Sequence, residues 1–163
     1  MNKKGLFILD LVIVLIMITA FAVSSIIAYR IYTDFRETAA PSLETNNNVT
    51  SEVMGHTEDV LQSFDYIFLV LLIGLTIGVI ISVTFIKTHP VFFIVTLFLL
   101  IVAIILAAQF SNIFYEIRTA PDLQNASSNY TIIPTVMDKL PLIALIIGAI
   151  ILVYLFAKAR SGM

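Results

Sequence analysis

Asp10 is the one ionisable residue inside a long apolar run of this chain. An acid within a membrane span is a functional candidate, because proton relays and ion paths are built from such groups. Asp10, however, stands about one helical turn from the start of its run, close enough for its carboxylate to reach an aqueous interface. Other polar groups inside the apolar runs include Thr19, Thr76, Thr96 and Gln109, and none of these has a charged neighbour in sequence. His56 and His89 are far apart, so no histidine metal cluster is expected. The chain has no cysteine, which excludes disulfides, thiolate metal ligands and a thiol nucleophile. There is no glycine-rich phosphate loop, no helix with paired histidines and no recognisable nucleophile arrangement. The expectation is a protein that is not an enzyme and has no cofactor and no metal. Three Asn-x-Ser/Thr tripeptides, at Asn48, Asn125 and Asn129, are possible glycosylation sites.

Composition explains why chemistry is so thin. Of 163 residues, 60% are hydrophobic and 12% charged, and mean hydropathy is +1.03. Soluble domains are about 45–50% apolar and about 25% charged. A soluble domain, a disordered tail and a nucleic-acid binder are excluded, and an integral membrane protein remains. The partners expected are the lipid bilayer and other membrane or coat proteins or further copies of the chain, with no nucleic acid.

Four runs are long enough to cross a bilayer as helices: 6–28, 66–86, 91–110 and 140–157. A hydrocarbon core of about 30 Å needs roughly 20 helical residues. The first run, at 23 residues, exceeds the apolar stretch of a cleaved secretory signal, about 7–15 residues, and is expected to be a retained span. Pro90 and Pro141 stand at helix starts, where a missing N–H costs nothing. The turn at Lys87–Pro90 and the two termini carry Lys3, Lys4, Lys87, Lys158 and Arg160 with no acid. The connecting segments 29–65 and 111–139 carry four basic and ten acidic residues. The basic residues place both termini on the cytoplasmic or inner side and two acidic loops outside. Within those loops, Val53, Thr57, Val60, Leu61 and Phe64 recur at helical spacing, as do Ile132, Ile133, Val136, Met137 and Leu140. Each reads as a short surface helix or as an extension of the span that follows.

Small residues recur four apart on every span. They are Gly74, Gly78 and Ser82; Ala20, Ser24 and Ala28; Ala103, Ala107 and Ser111; and Ala144 and Gly148. Such faces let two helix backbones approach closely, and in lipid that dispersion contact carries association. For Gly74 and Gly78 the expected neighbour is a helix of the same chain. The chain also matches itself. Shifted by 86, Ile18 meets Ile104, Ser25 meets Ser111, Tyr29 meets Tyr115 and Thr33 meets Thr119, among ten identities over 28 positions. The expected architecture is an all-α membrane protein of four spans in two tandem helix-loop-helix hairpins, residues 1–86 and 87–163, as a parallel repeat.

Two resemblances attach to these residues. The opening Lys3-Lys4-Gly5-Leu6-Phe7-Ile8-Leu9-Asp10 resembles a type IV prepilin leader, in which a glycine precedes the cut and an acid stands five residues after it. Asp10 takes the place of the usual Glu, and three further spans depart from the pilin pattern of one apolar helix and a globular head. The doubled hydrophobic hairpin resembles, in architecture alone, the small multi-span membrane proteins of lipid-containing or spindle-shaped viruses and phages. That likeness implies a structural or assembly protein, with a virion membrane as one setting. A holin-like or small channel protein and an accessory subunit of a larger membrane complex are the alternative functions. The orientation has a direct test. A cysteine introduced at Asn125 reacts with an impermeant thiol reagent from outside intact cells and one at Ser161 does not; labelling of Ser161 alone reverses the topology.

Overall fold

The computed structural model describes residues 6–43, 48–84 and 90–160. Lys3, Lys4, Gly5, Lys87, His89 and Ser161 lie outside the described residues, as does the side chain of Asn48. The described chain is helical: α1 Leu6–Leu43, α2 Asn48–Thr84, α3 Pro90–Thr119, α4 Gln124–Ser127, α5 Ile132–Asp138 and α6 Leu140–Arg160. Four stretches are long and apolar enough to cross a membrane: Asp10–Thr38, Glu52–Thr84, Ile94–Thr119 and Leu140–Lys158. Together they support a multi-pass membrane protein.

Helix α3 packs most extensively on α6 and α1 on α2, and the two pairs join through α1 and α3. The remaining neighbours, α2 and α6, touch only thinly. Large side chains fill the centre: Leu11, Leu15, Ile18 and Ile26 of α1, Phe68 and Val83 of α2, Phe114 of α3 and Leu155 of α6 are all buried. Phe21 stacks on Phe68 with ring centroids 6.1 Å apart and meets Phe64 at 5.9 Å. Three hydroxyls inside the spans bond within their own helix. Thr19 donates to the Leu15 carbonyl, Ser25 to Phe21 and Thr76 to Leu72, each at 2.8 Å. A hydroxyl in hydrocarbon has no water to bond, and the carbonyl four residues back is the nearest acceptor.

Much of the first connecting segment, 29–65, continues the helices instead of forming a loop. Helix α1 runs on to Leu43 and α2 begins at Asn48. At 38 residues, α1 is about 57 Å long, well beyond the roughly 30 Å hydrocarbon core. The polar ends hold because each is the other's partner. Tyr29, Tyr32 and Arg36, at helical spacing on α1, bond to Glu58, Met54 and Glu58 on α2. Of the two readings of 53–64, the extension of the following span is the one realised. Before α6 the chain forms the separate short helix α5.

The small-residue faces differ in use. Ala103, Ala107 and Ser111 of α3 and Ala144 and Gly148 of α6 are buried. A Cβ added at Gly148 would collide with the Leu100 side chain, so α6 meets α3 at a glycine. Gly74 and Gly78 have no atom within 4 Å of where a Cβ would stand, which corrects the expected neighbour within the chain. Ser82 is only partly buried, Ala20 and Ser24 are exposed and Ala28 is partly buried. The reason is rotational: α1 and α2 turn larger side chains toward the centre, and dispersion gained by Leu, Ile and Phe there outweighs close backbone approach. The two halves also use their matching positions unequally. The identities align at 86, but the buried faces align one residue earlier: Ile18 with Ala103, Ala22 with Ala107, Tyr29 with Phe114. One residue is about 100° of helix rotation, so Tyr29 is buried while its sequence match Tyr115 is exposed.

These differences set opposite outcomes for glycine substitutions. Gly148→Leu overpacks the α3–α6 contact and lowers stability in detergent by about 1–3 kcal/mol. Gly74→Leu and Gly78→Leu leave the thermal stability of the monomer unchanged. Equal destabilisation by all three would contradict the observed placement of α2.

Candidate functional site at the loop end of the bundle

The polar groups that the fold brings together gather where the second connecting segment turns back between the helices. Helix α3 stops at Thr119, and Pro121 is the second residue of a tight turn in which Leu123 N–H donates to the Ala120 carbonyl at 2.9 Å. Proline cannot continue a helix without losing a bond, so it marks such ends. The chain then forms α4 and α5, which pack on α1, α2 and α3.

At the start of α5 no side chain of its own N-cap residue, Thr131, accepts a bond. The free amides instead point to Asp65 on α2. Thr131 N–H donates to Asp65 Oδ2 at 2.9 Å, Ile132 N–H to Oδ2 at 2.8 Å, and Ile133 N–H to Oδ1 at 2.7 Å. The next residue, Pro134, has no N–H. The unpaired donors of a helix's first turn are thus all accounted for by one carboxylate, 66–68 residues distant in sequence. Asp65 is itself buried. A buried carboxylate is costly unless it is bonded, and charge-assisted bonds from backbone amides are among the stronger ones.

Tyr130, just ahead of α5, is buried and donates its hydroxyl to the Ser25 carbonyl of α1 at 3.0 Å, across 105 residues. Its ring meets Tyr29 edge-on at 5.9 Å. Burial, with lesser contributions from Tyr29 and Asp65, pushes the Tyr130 phenol up to about 12. The hydroxyl therefore stays protonated and remains a donor. Tyr29 reaches Glu58 at 3.3 Å, and Glu58 also pairs with Arg36 at 2.6 Å. On the far side, Arg118 holds Asp138, the last residue of α5, at 2.8 Å and lies over the Tyr115 ring at 5.1 Å. The Ser127 hydroxyl is 3.1 Å from the Arg118 carbonyl and 2.9 Å from that of Gln124. Each end of α5 is thus tied to a different long helix.

The residues singled out by sequence fall elsewhere. Asp10 is partly buried and lines a shallow groove between α1 and α2 with Ile13, Met17, Gly74, Gly78 and Ser82. The structure therefore brings the intramembrane acid and the open glycine face together. Asn125 and Asn129 are exposed on and after α4, and the Asn129 amide donates to the Asn125 carbonyl at 2.9 Å. His56 is exposed, 3.9 Å from Glu52. Among the described residues no group of three His, Cys, Asp or Glu side chains could hold a metal. Sequence reading passed over Asp65, Tyr130, Arg118 and Asp138. The one signal for Asp65 was its place at the junction of a polar segment and an apolar run, directly after Phe64.

No protein-family model, no curated protein and no solved structure matches the chain.

The cap has a specific readout. Asp65→Ala leaves three amides without acceptors and lowers stability by about 2–3 kcal/mol. Asp65→Asn, which keeps one acceptor oxygen, costs less. Hydrogen exchange at Thr131–Ile133 accelerates in Asp65→Ala while amides at the centre of α3 do not change. Unchanged exchange at these three positions would show that Asp65 does not hold α5.

Proposed function

We propose that this chain is a structural or assembly protein of a membrane, which packs against further helices through the open face of α2 and presents a folded polar surface at its loop end. The observation that carries this reading is the Gly74–Gly78 face. It offers close backbone approach, and among the described residues no side chain occupies it. A helix from a second copy or from another membrane protein can lie there with its backbone close to that of α2. The neighbouring Asp10 carboxylate would then meet polar or basic groups of that helix.

Several finer points belong to the same proposal. The loop end is the outer side and both termini are inner, as the distribution of Lys and Arg indicates. The chain descends from two hairpins: the sequence identities and the dominance of the α1–α2 and α3–α6 pairings support this. The difference in burial register is then a divergence between copies. The membrane is that of a cell or of a lipid-containing particle.

Reconstitution in liposomes tests the role. Wild-type chains associate in single-molecule photobleaching, and Gly74→Leu and Gly78→Leu reduce association several-fold without changing the melting temperature. A dye-loaded liposome stays sealed. Unchanged association in both variants would remove the proposed face, and dye release dependent on the protein would favour a permeabilising function instead.

A further inference from the structure

Helices α2 and α6 are tied at two levels, through α5 at one end and directly at the other, and part between them. At the loop end α5 leads into α6, and its first turn is held to α2 through Asp65. At the opposite end Lys158 Nζ donates to the Thr84 carbonyl at 2.7 Å. Between these ties lies a crevice of about 310 Å³ lined by Leu72, Ile73, Thr76 and Ile77 of α2 and Ile143, Ile146 and Ile147 of α6. Its walls are hydrocarbon, and the one hydroxyl, Thr76, is already bonded to the Leu72 carbonyl. Nothing in it calls for water or an ion.

Size and depth restrict the occupant. One turn of helix, about 10–12 Å across and 5.4 Å long, fills roughly 400–600 Å³, more than the crevice holds. A single extended chain fits. Leu72 lies about 10 Å and Ile77 about 18 Å along α2 from Asp65, so with Asp65 at the edge of a core about 30 Å thick the crevice runs from within the loop-side leaflet to about the midplane. Lys139 stands one turn nearer the loop end than Ile143, joined to it by the Ile143 N–H to Lys139 carbonyl bond of 3.0 Å. Lys139 directly precedes α6, at the loop end of the α6 wall of the crevice. The Lys139 side chain is exposed, and its acidic neighbours are engaged, Asp138 by Arg118 and Asp65 by the α5 amides. An ammonium at the mouth of an apolar slot matches a phosphate with a hydrocarbon tail.

We propose that the α2–α6 crevice holds one acyl chain of a phospholipid from the leaflet at the loop end, with its phosphate at Lys139. The crevice lies on a different face from Gly74 and Gly78, so the assembly reading and this one stand or fall separately.

Native mass spectrometry of the full chain, released from mild detergent after incubation with phosphatidylglycerol or with diacylglycerol, tests it. The wild-type chain retains one phosphatidylglycerol. The double variant Thr76→Phe, Ile146→Phe fills the slot and loses that adduct, while Ile150→Phe, on an exposed part of α6 outside the crevice, keeps it. Lys139→Gln lowers phosphatidylglycerol retention several-fold and leaves diacylglycerol retention as in wild type, which separates phosphate from chain. Full retention in the double variant, or equal phosphatidylglycerol retention in Lys139→Gln, overturns the proposal. So does a crevice closed by a second copy, seen as a dimer that the double variant disrupts. Should the double variant fail to fold, Lys139→Gln decides alone.

Discussion

The loop end of this protein depends on one carboxylate. Asp65 accepts three successive amides of α5 and thereby joins the second connecting segment to α2. Without it, a seven-residue helix would stand on its own, and a helix that short is not stable in water. With it, α5 becomes a fixed plug whose other end is held by Arg118 and Asp138. Tyr130, immediately before α5, then reaches the Ser25 carbonyl of α1. Three long helices are thus connected through a segment with little secondary structure of its own.

The rest of the bundle obeys a different economy. The buried Thr19 and Ser25 hydroxyls bond to carbonyls of their own helix and so do not join helices. Cohesion within the spans comes from packing, large side chains around α1 and small ones where α6 approaches α3. Among the described residues, polar groups join the helices at the two ends: Asp65, Tyr130, Glu58 and Arg118 at one, Lys158 at the other. This division is what a bilayer imposes, since a polar contact in hydrocarbon must be complete while the ends can use water.

The same division sorts the surfaces that remain free. A glycine face and a shallow groove lie on one side of α2, and an apolar crevice lies between α2 and α6. Both arise because α2 packs closely on α1 alone among the spans. Helix α2 is therefore the element with the most surface left for lipid or for other helices.

By itself the sequence determined that the chain is helical and has four stretches long and apolar enough to cross a membrane, because twenty apolar residues in hydrocarbon have few other ways to satisfy their backbone. The helix start at Pro90 was equally legible, since proline acts through local geometry. Tertiary structure alone decided which faces meet. Spans of near-uniform hydrophobicity carry little rotational signal, so Gly74 and Gly148, alike in sequence setting, ended one open and one packed. It alone decided that the polar ends of α1 and α2 stay helical, because Tyr32 and Glu58 find partners only across the pair. And it alone gave Asp65 its role. A helix cap is ordinarily a neighbour in sequence, and here the fold places the acceptor on another helix, 66 residues away, where no local pattern could point to it.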